Sequence, residues 1–288
     1  VPILHAIILG LTQGLSEFLP ISSSGHLLLV PWAFGWHDFA GNSDLEKTFD
    51  VALHLGTLIG AVAYFWRDLV TLVRAAFTRG HDRVVVATGT LAADHPTLET
   101  ERRLAWLLLL SCIPGAIIGA LFETPIEDHL GQIWLIGIML IVFGLVLYWA
   151  DQLRGDRKVT DFNLRDAVLM GAGQALALQP GVSRSGATMT VGRMLKLDRD
   201  AAARVSFLMG IPIIGGAVVL KLGKQIVHGF PPGFAAPFFW GVVASGLSGY
   251  LAVWGLLKLI RTRGFTPFVI YRVLAGLAVL TVYVTGIR

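Results

Sequence analysis

The sequence predicts an all-α polytopic membrane protein, with six transmembrane helices plus two re-entrant helical hairpins arranged as an inverted repeat. Three observations predict it. The chain is apolar: 55% of its 288 residues are hydrophobic, only 15% are charged, and mean hydropathy is +0.69, where an ordinary soluble domain carries roughly 25% charged residues. Six stretches approach the ~20 apolar residues that a helix needs to cross the hydrocarbon core. Two shorter apolar stretches each run into a Pro/Ser/Gly cluster and then resume as helix. This composition excludes a disordered chain and argues against a water-soluble enzyme.

In chain order, the first hairpin covers 3–35: an apolar stretch at 3–19, the break Pro20-Ile21-Ser22-Ser23-Ser24-Gly25, and a helical stretch at 23–35. Full spans are expected at about 49–66, 103–122 and 132–150. The second hairpin covers 164–196: an apolar stretch at 164–178, the break Pro180-Gly181-Val182-Ser183-Arg184-Ser185-Gly186, and a helical stretch at 183–196. Three more spans follow at about 201–222, 236–258 and 265–286. Broken backbone at membrane depth is tolerated only inside protein or beside a water-filled cavity. Residues 1–288 thus read as one membrane domain of two halves, 1–150 and 151–288. Cys112 is the single cysteine, so there is no disulfide framework. The first residues lack a basic stretch and a small-residue cleavage site, so no cleavable signal peptide is expected.

Charge sets the orientation. Arg67, Arg74, Arg79, Arg83, Arg102 and Arg103 lie between the first two spans. The segment 151–166 holds Arg154, Arg157, Lys158 and Arg165, and Lys258, Arg261 and Arg263 precede the last span. By the positive-inside rule these segments are cytoplasmic. The segment 78–101 reads as a polar cytoplasmic loop, and the loop 123–131, with Glu123, Glu127 and Asp128 but no Lys or Arg, faces outward. The first hairpin then starts and ends outside. Three crossings later the second starts and ends inside, so the two are inverted. At an offset of 161 residues Gly10, Gln13, Leu15, Ser22, Ser24 and Gly25 recur as Gly171, Gln174, Leu176, Ser183, Ser185 and Gly186. Inverted repeats with broken helices place their site where the tips meet.

Glu17 and Arg184 sit in apolar surroundings, where a charge costs about 2.5–3.5 kcal/mol on insertion scales. They should face an interior cavity; the plainer alternative is an ion pair that staples the hairpins. Ser22 and Ser183 each follow a proline turn and precede a helix, as N-caps do. Free N–H groups and the dipole at a helix start bind phosphate. Arg184 can fork onto phosphate oxygens, and Ser22, Ser24, Ser183, Ser185 and Thr188 offer further contacts. The site therefore suits a phosphate or diphosphate. Ser23 and His26, three apart, share a helix face, which allows a hydroxyl nucleophile with an imidazole as base or acid. Glu17 could orient His26, act as the base itself, or hold a divalent cation, for which Gln13 one turn earlier offers a neutral oxygen. Arg272, inside the last span, is a further candidate for diphosphate contact, or else a snorkelling anchor. His54 and Asp50 either border the cavity or pack as polar residues.

At these residues the chain resembles the undecaprenyl-diphosphate phosphatase family, the integral-membrane type once described as a bacitracin-resistance protein. The resemblance rests on Gln13-Gly-Leu-Ser-Glu17-Phe-Leu-Pro-Ile-Ser-Ser23-Ser-Gly-His26 and Pro180-Gly-Val-Ser-Arg184-Ser-Gly-Ala-Thr188. Lys47-Thr-Phe-Asp-Val and Phe265-Thr-Pro-Phe-Val-Ile-Tyr-Arg272 support it. It implies an enzyme of the bacterial cytoplasmic (inner) membrane that removes one phosphate from undecaprenyl diphosphate, regenerating the monophosphate carrier for peptidoglycan. It also implies a divalent cation, Mg or Ca, and a site open to the extracytoplasmic side. The family's Ser and His map onto Ser23 and His26, its phosphate-binding Arg onto Arg184, and its acidic motif onto Gln13 and Glu17. The family often has Glu where this chain has Gln13, which cannot supply charge. Ser23 and His26 both stay open as nucleophile, with Ser23 favoured by its place at a helix start. The implied partners are a polyprenyl diphosphate and membrane lipids; no nucleic acid is expected, and a homodimer is compatible. The rival function is a transporter or flippase that moves an anionic lipid or phosphate by alternating access.

Overall fold

The computed structural model describes residues 1–39, 41–78, 97–228 and 233–286, and these form twelve α-helices and one short 3-10 turn. The first broken pair is α1 (Ile3–Phe18) and α2 (Ser23–Phe34). Next, α3 (Ser43–Tyr64) meets α4 (Trp66–Phe77) at an 81° bend. Then come α5 (Leu98–Leu110), α6 (Cys112–Leu130) and α7 (Ile133–Gln152). The second broken pair is α8 (Leu164–Leu176) and α9 (Arg184–Met194), followed by α10 (Arg199–His228), α11 (Ala235–Arg263) and α12 (Thr266–Thr285). Among the described residues five helical stretches are long and apolar enough to cross a membrane, and the bent α3–α4 pair makes a sixth if taken as one span. This is a multi-pass membrane protein.

The helices match the expected stretches to within a few residues, with two departures. Residues 67–77, placed only in the cytoplasmic segment between the first two spans with no element assigned, form α4 together with Trp66. It buries Asp68, Thr71, Leu72 and Ala75, an i, i+3, i+4, i+7 face packed on α5. An aspartate within that face hides the period from a hydropathy reading. The expected loop 123–131 is also helical, as α6 runs to Leu130; acidic residues mark solvent but do not forbid helix. Arg79 and Arg83, with residues 79–96, lie outside the described residues, as do the side chains of Glu123, Glu127 and Asp128.

Close packing of α1 on α11, and of α11 on α3, carries the first tip. A Cβ on Gly14 would lie 2.8 Å from the backbone nitrogen of Gly249. Glycine is thus what lets α1 approach α11 so closely one turn before Glu17. Around the C-terminal end of α7, buried charges are tied together. Asp151 accepts from Arg199 Nε at 2.6 Å and from the Phe265 backbone N–H at 3.1 Å, and Arg193 Nε lies 3.8 Å away. Asp166, also buried, shares a capping box with Asn163 at the start of α8 and pairs with Arg157, while outside this buried set the exposed Lys158 pairs with Asp198 at 2.7 Å. Buried charges persist when each has such partners.

Candidate active site

Two helix starts meet at the centre of the molecule. Ser22 and Ser183 have positive φ, 79° and 75°, a conformation that is uncommon for residues other than glycine. Each caps its helix: Ser22 Oγ accepts from Gly25 N–H at 3.4 Å and Ser183 Oγ from Gly186 N–H at 3.1 Å. The tips also bind each other. Gly181 N–H donates to Ser22 Oγ at 3.0 Å, and Ser185 Oγ donates to the Leu19 carbonyl at 3.0 Å. Thr188 Oγ1 donates to the Arg184 carbonyl and shares a 2.6 Å hydrogen bond with Ser206 Oγ of α10. These contacts answer the requirement that broken backbone inside a membrane protein be satisfied internally.

Arg272, expected at the diphosphate or as a snorkelling anchor, reaches backbone carbonyls of both tips. It is fully buried, and its guanidinium donates to the carbonyls of Pro20, Gly181, Val182, Leu140 and Met139 at 2.9–3.3 Å. One side chain from α12 thereby ties both breaks to α7. The sequence marks Arg272 as costly, but not which carbonyls would take it.

The polar centre beside the joined tips is built on Glu17, itself buried. Its Oε2 accepts from Ser23 Oγ at 2.5 Å and from Gln13 Nε2 at 3.0 Å. His54 Nε2 lies 3.5 Å from the same oxygen, while His54 Nδ1 bonds the Asp50 carbonyl at 2.8 Å. Oε1 accepts from Arg184 Nη2 at 3.1 Å. Glu17 and Arg184, 167 residues apart, are therefore in direct contact. Arg184 Nη1 reaches the Ser206 carbonyl at 3.5 Å, and its Nε is buried with no protein partner. Ser24 is half-buried on the first turn of α2.

The helical spacing of Ser23 and His26 suggests a pair; in the structure each side chain has other partners. His26 Nδ1 meets the Ser22 carbonyl at 2.6 Å, so this nitrogen carries the proton, because a carbonyl only accepts. Its Nε2 then accepts from the Tyr271 hydroxyl at 2.6 Å, with the rings 5.7 Å apart and nearly parallel. The group facing Ser23 Oγ is the Glu17 carboxylate. Tyr271, Ser206 and the contact from His54 are the parts sequence reasoning missed. His54 was visible as a histidine in a span and Tyr271 as the neighbour of Arg272, whereas Ser206 gave no signal.

Chemically, a hydroxyl at a helix start has a carboxylate placed to take its proton, and an arginine holds the other oxygen of that carboxylate through Nη2. This is the pairing of nucleophile, base and anion-holding group used in group transfer. As a cation site the set is lean: among the described residues no three His, Cys, Asp or Glu side chains come together. Gln13 Oε1, however, is buried and unpartnered on the same helix as Glu17. One carboxylate and one amide oxygen suit a hard cation that completes its shell with phosphate oxygens and water.

The family model described as bacitracin resistance protein BacA matches residues 6–278. The chain belongs to this family. Both tips, Gln13 to His26 and Pro180 to Thr188, lie inside the BacA match. The chain is also similar along its length to curated proteins named undecaprenyl-diphosphatase. That of Pelotomaculum thermopropionicum is 46% identical, over 96% of this chain and 96% of the relative. That of Pelobacter propionicus is 45% identical, over 99% and 98%, and that of Moorella thermoacetica 43%, over 98% of each.

Proposed function

We propose that this BacA-family protein hydrolyses undecaprenyl diphosphate to undecaprenyl phosphate and inorganic phosphate, recycling the lipid carrier for peptidoglycan synthesis. The observation that carries the reading is the 2.5 Å contact of Ser23 Oγ with Glu17 Oε2, beside Arg184. The isoprenoid tail stays in lipid and the diphosphate enters between the tips. The terminal phosphate draws the Arg184 guanidinium from Glu17 Oε1 onto its own oxygens, where charge develops during transfer. Ser23 Oγ attacks the terminal phosphorus as its proton passes to Glu17. The bridging P–O bond breaks, Glu17 passes that proton to the departing phosphate oxygen, and undecaprenyl phosphate leaves, so Glu17 is a carboxylate again. Water then attacks the phosphoserine and gives a proton to Glu17; the Oγ–P bond breaks, phosphate departs, and Ser23 regains its proton. His26, held by Ser22 and Tyr271, shapes the first turn of α2 rather than taking the Ser23 proton. Glu17 and Gln13 Oε1 would hold a divalent cation, Mg or Ca, which neutralises phosphate charge when bound.

The layout in this reading is six spans with two re-entrant hairpins, 3–35 and 164–196, as inverted halves 1–150 and 151–288. The like geometry of the Ser22 and Ser183 caps supports it. The protein lies in the cytoplasmic membrane with the site open to the extracytoplasmic side. The arginine-rich ends gathered around Asp151 and Asp200 support that orientation. The test is phosphate release from a polyprenyl diphosphate by purified protein in detergent micelles, which have no two sides for a carrier to work between. Wild type should turn over, and folded Ser23→Ala and Arg184→Ala should not. Near-normal turnover in Arg184→Ala would overturn the assignment.

A further inference from the structure

Gly210 lies inside α10, and its backbone is not in the positive-φ region. A glycine within a helix costs stability relative to alanine, so it calls for a spatial reason. Gly14 has one in a neighbouring backbone. Gly210 has a different one: the three heavy atoms nearest to a Cβ built there are Arg184 Nη1, Cζ and Nη2, the last two at 2.6 and 2.7 Å. The guanidinium of Arg184 thus fills the space that a side chain on Gly210 would take, with Nη2 at Glu17 and Nη1 toward the Ser206 carbonyl one turn earlier on α10.

We propose that Gly210 is a positioning residue for phosphate transfer: its missing side chain is the seat that sets the plane and depth of the Arg184 fork between Glu17 and the incoming phosphate. The inference rests on the role given to Arg184 above. The atoms nearest to a methyl group at 210 are the far end of a flexible side chain. The fold absorbs it by moving the guanidinium, and catalysis cannot. A misplacement of about 1 Å at a reacting group can cost on the order of 10²-fold in rate.

The experiment compares wild type, Gly210→Ala, Arg184→Ala, Arg184→Lys and the Arg184→Lys/Gly210→Ala double variant in detergent. It reads melting temperature, kcat/KM for a polyprenyl diphosphate, and affinity for a non-hydrolysable methylene-diphosphonate analogue. Gly210→Ala should melt at or above the wild-type temperature while kcat/KM falls about 10²-fold. The two Arg184→Lys proteins should bind the analogue equally, because an ammonium does not lie on the seat. Wild-type kcat/KM in Gly210→Ala, while Arg184→Ala is dead, overturns the seat and leaves the site standing. Loss of folding in Gly210→Ala, or a fall in melting temperature in step with activity, overturns it too. Turnover in Arg184→Ala would instead overturn the reading of the site.

Discussion

Replacing Arg272 by Leu removes the one side chain that, among the described residues, donates to both breaks at once. Five backbone carbonyls take its guanidinium, and leucine fills much of the stem while satisfying none of them. Hydrogen bonds from a charged group are worth about 1.5–3 kcal/mol each, but they are not additive when one group makes them all. A buried acceptor left without a donor costs about 1–3 kcal/mol, so stranding these carbonyls, with partial relaxation, should cost about 3–5 kcal/mol in all. For a domain of this size that corresponds to a melting temperature lower by on the order of 10 °C. The assay is thermal unfolding of purified Arg272→Leu and Arg272→Lys in detergent, with phosphate release measured well below the transition. Both variants should be destabilised, Lys less so, and the surviving folded protein should turn over slowly because the two helix starts are no longer held together. An Arg272→Leu protein with wild-type melting temperature and a raised KM alone would refute this reasoning and return Arg272 to the role of a substrate contact.

Three further outcomes are expected. Glu17→Gln should keep the fold and reduce kcat by about 10²–10⁴-fold, the usual contribution of a positioned base, measured as phosphate release. Tyr271→Phe removes the donor to His26 Nε2; it should cost about 1 kcal/mol in stability and shift the ¹⁵N resonance of that nitrogen, with turnover only modestly reduced. Gly14→Ala should force α1 off α11 at a cost of about 1–3 kcal/mol, read as a lower melting temperature with activity lost in parallel, the opposite signature to Gly210→Ala.

Much of this architecture is legible in the sequence because membrane constraints are simple. Apolar length marks the spans, and Pro20 and Pro180 followed by serines mark the breaks. Glu17 and Arg184 stand out because a lone charge in an apolar stretch needs a partner, and they prove to be each other's. What could not be read depends on side-chain direction rather than on residue type. Helical spacing puts Ser23 and His26 on one face, but the Ser22 carbonyl captures Nδ1 and turns the ring to Tyr271, leaving Ser23 to Glu17. The serines and threonine of the tips read as phosphate ligands, since capping and anion binding need the same residues; in the fold Ser22, Ser183, Ser185 and Thr188 turn to backbone and to one another. Helix α4 escaped notice because Asp68 occupies its buried face.

The central claim is that Ser23 carries the phosphoryl group. It is tested by mixing the enzyme with a polyprenyl diphosphate labelled in the terminal phosphate, quenching within one turnover in acid and, separately, in alkali, and mapping the labelled peptide by mass spectrometry. Acid-stable label on Ser23, absent from Ser23→Ala and trapped poorly by Glu17→Gln, is the expected result. Alkali-stable, acid-labile label on His26, or full turnover with no phosphoenzyme in either quench, would contradict it.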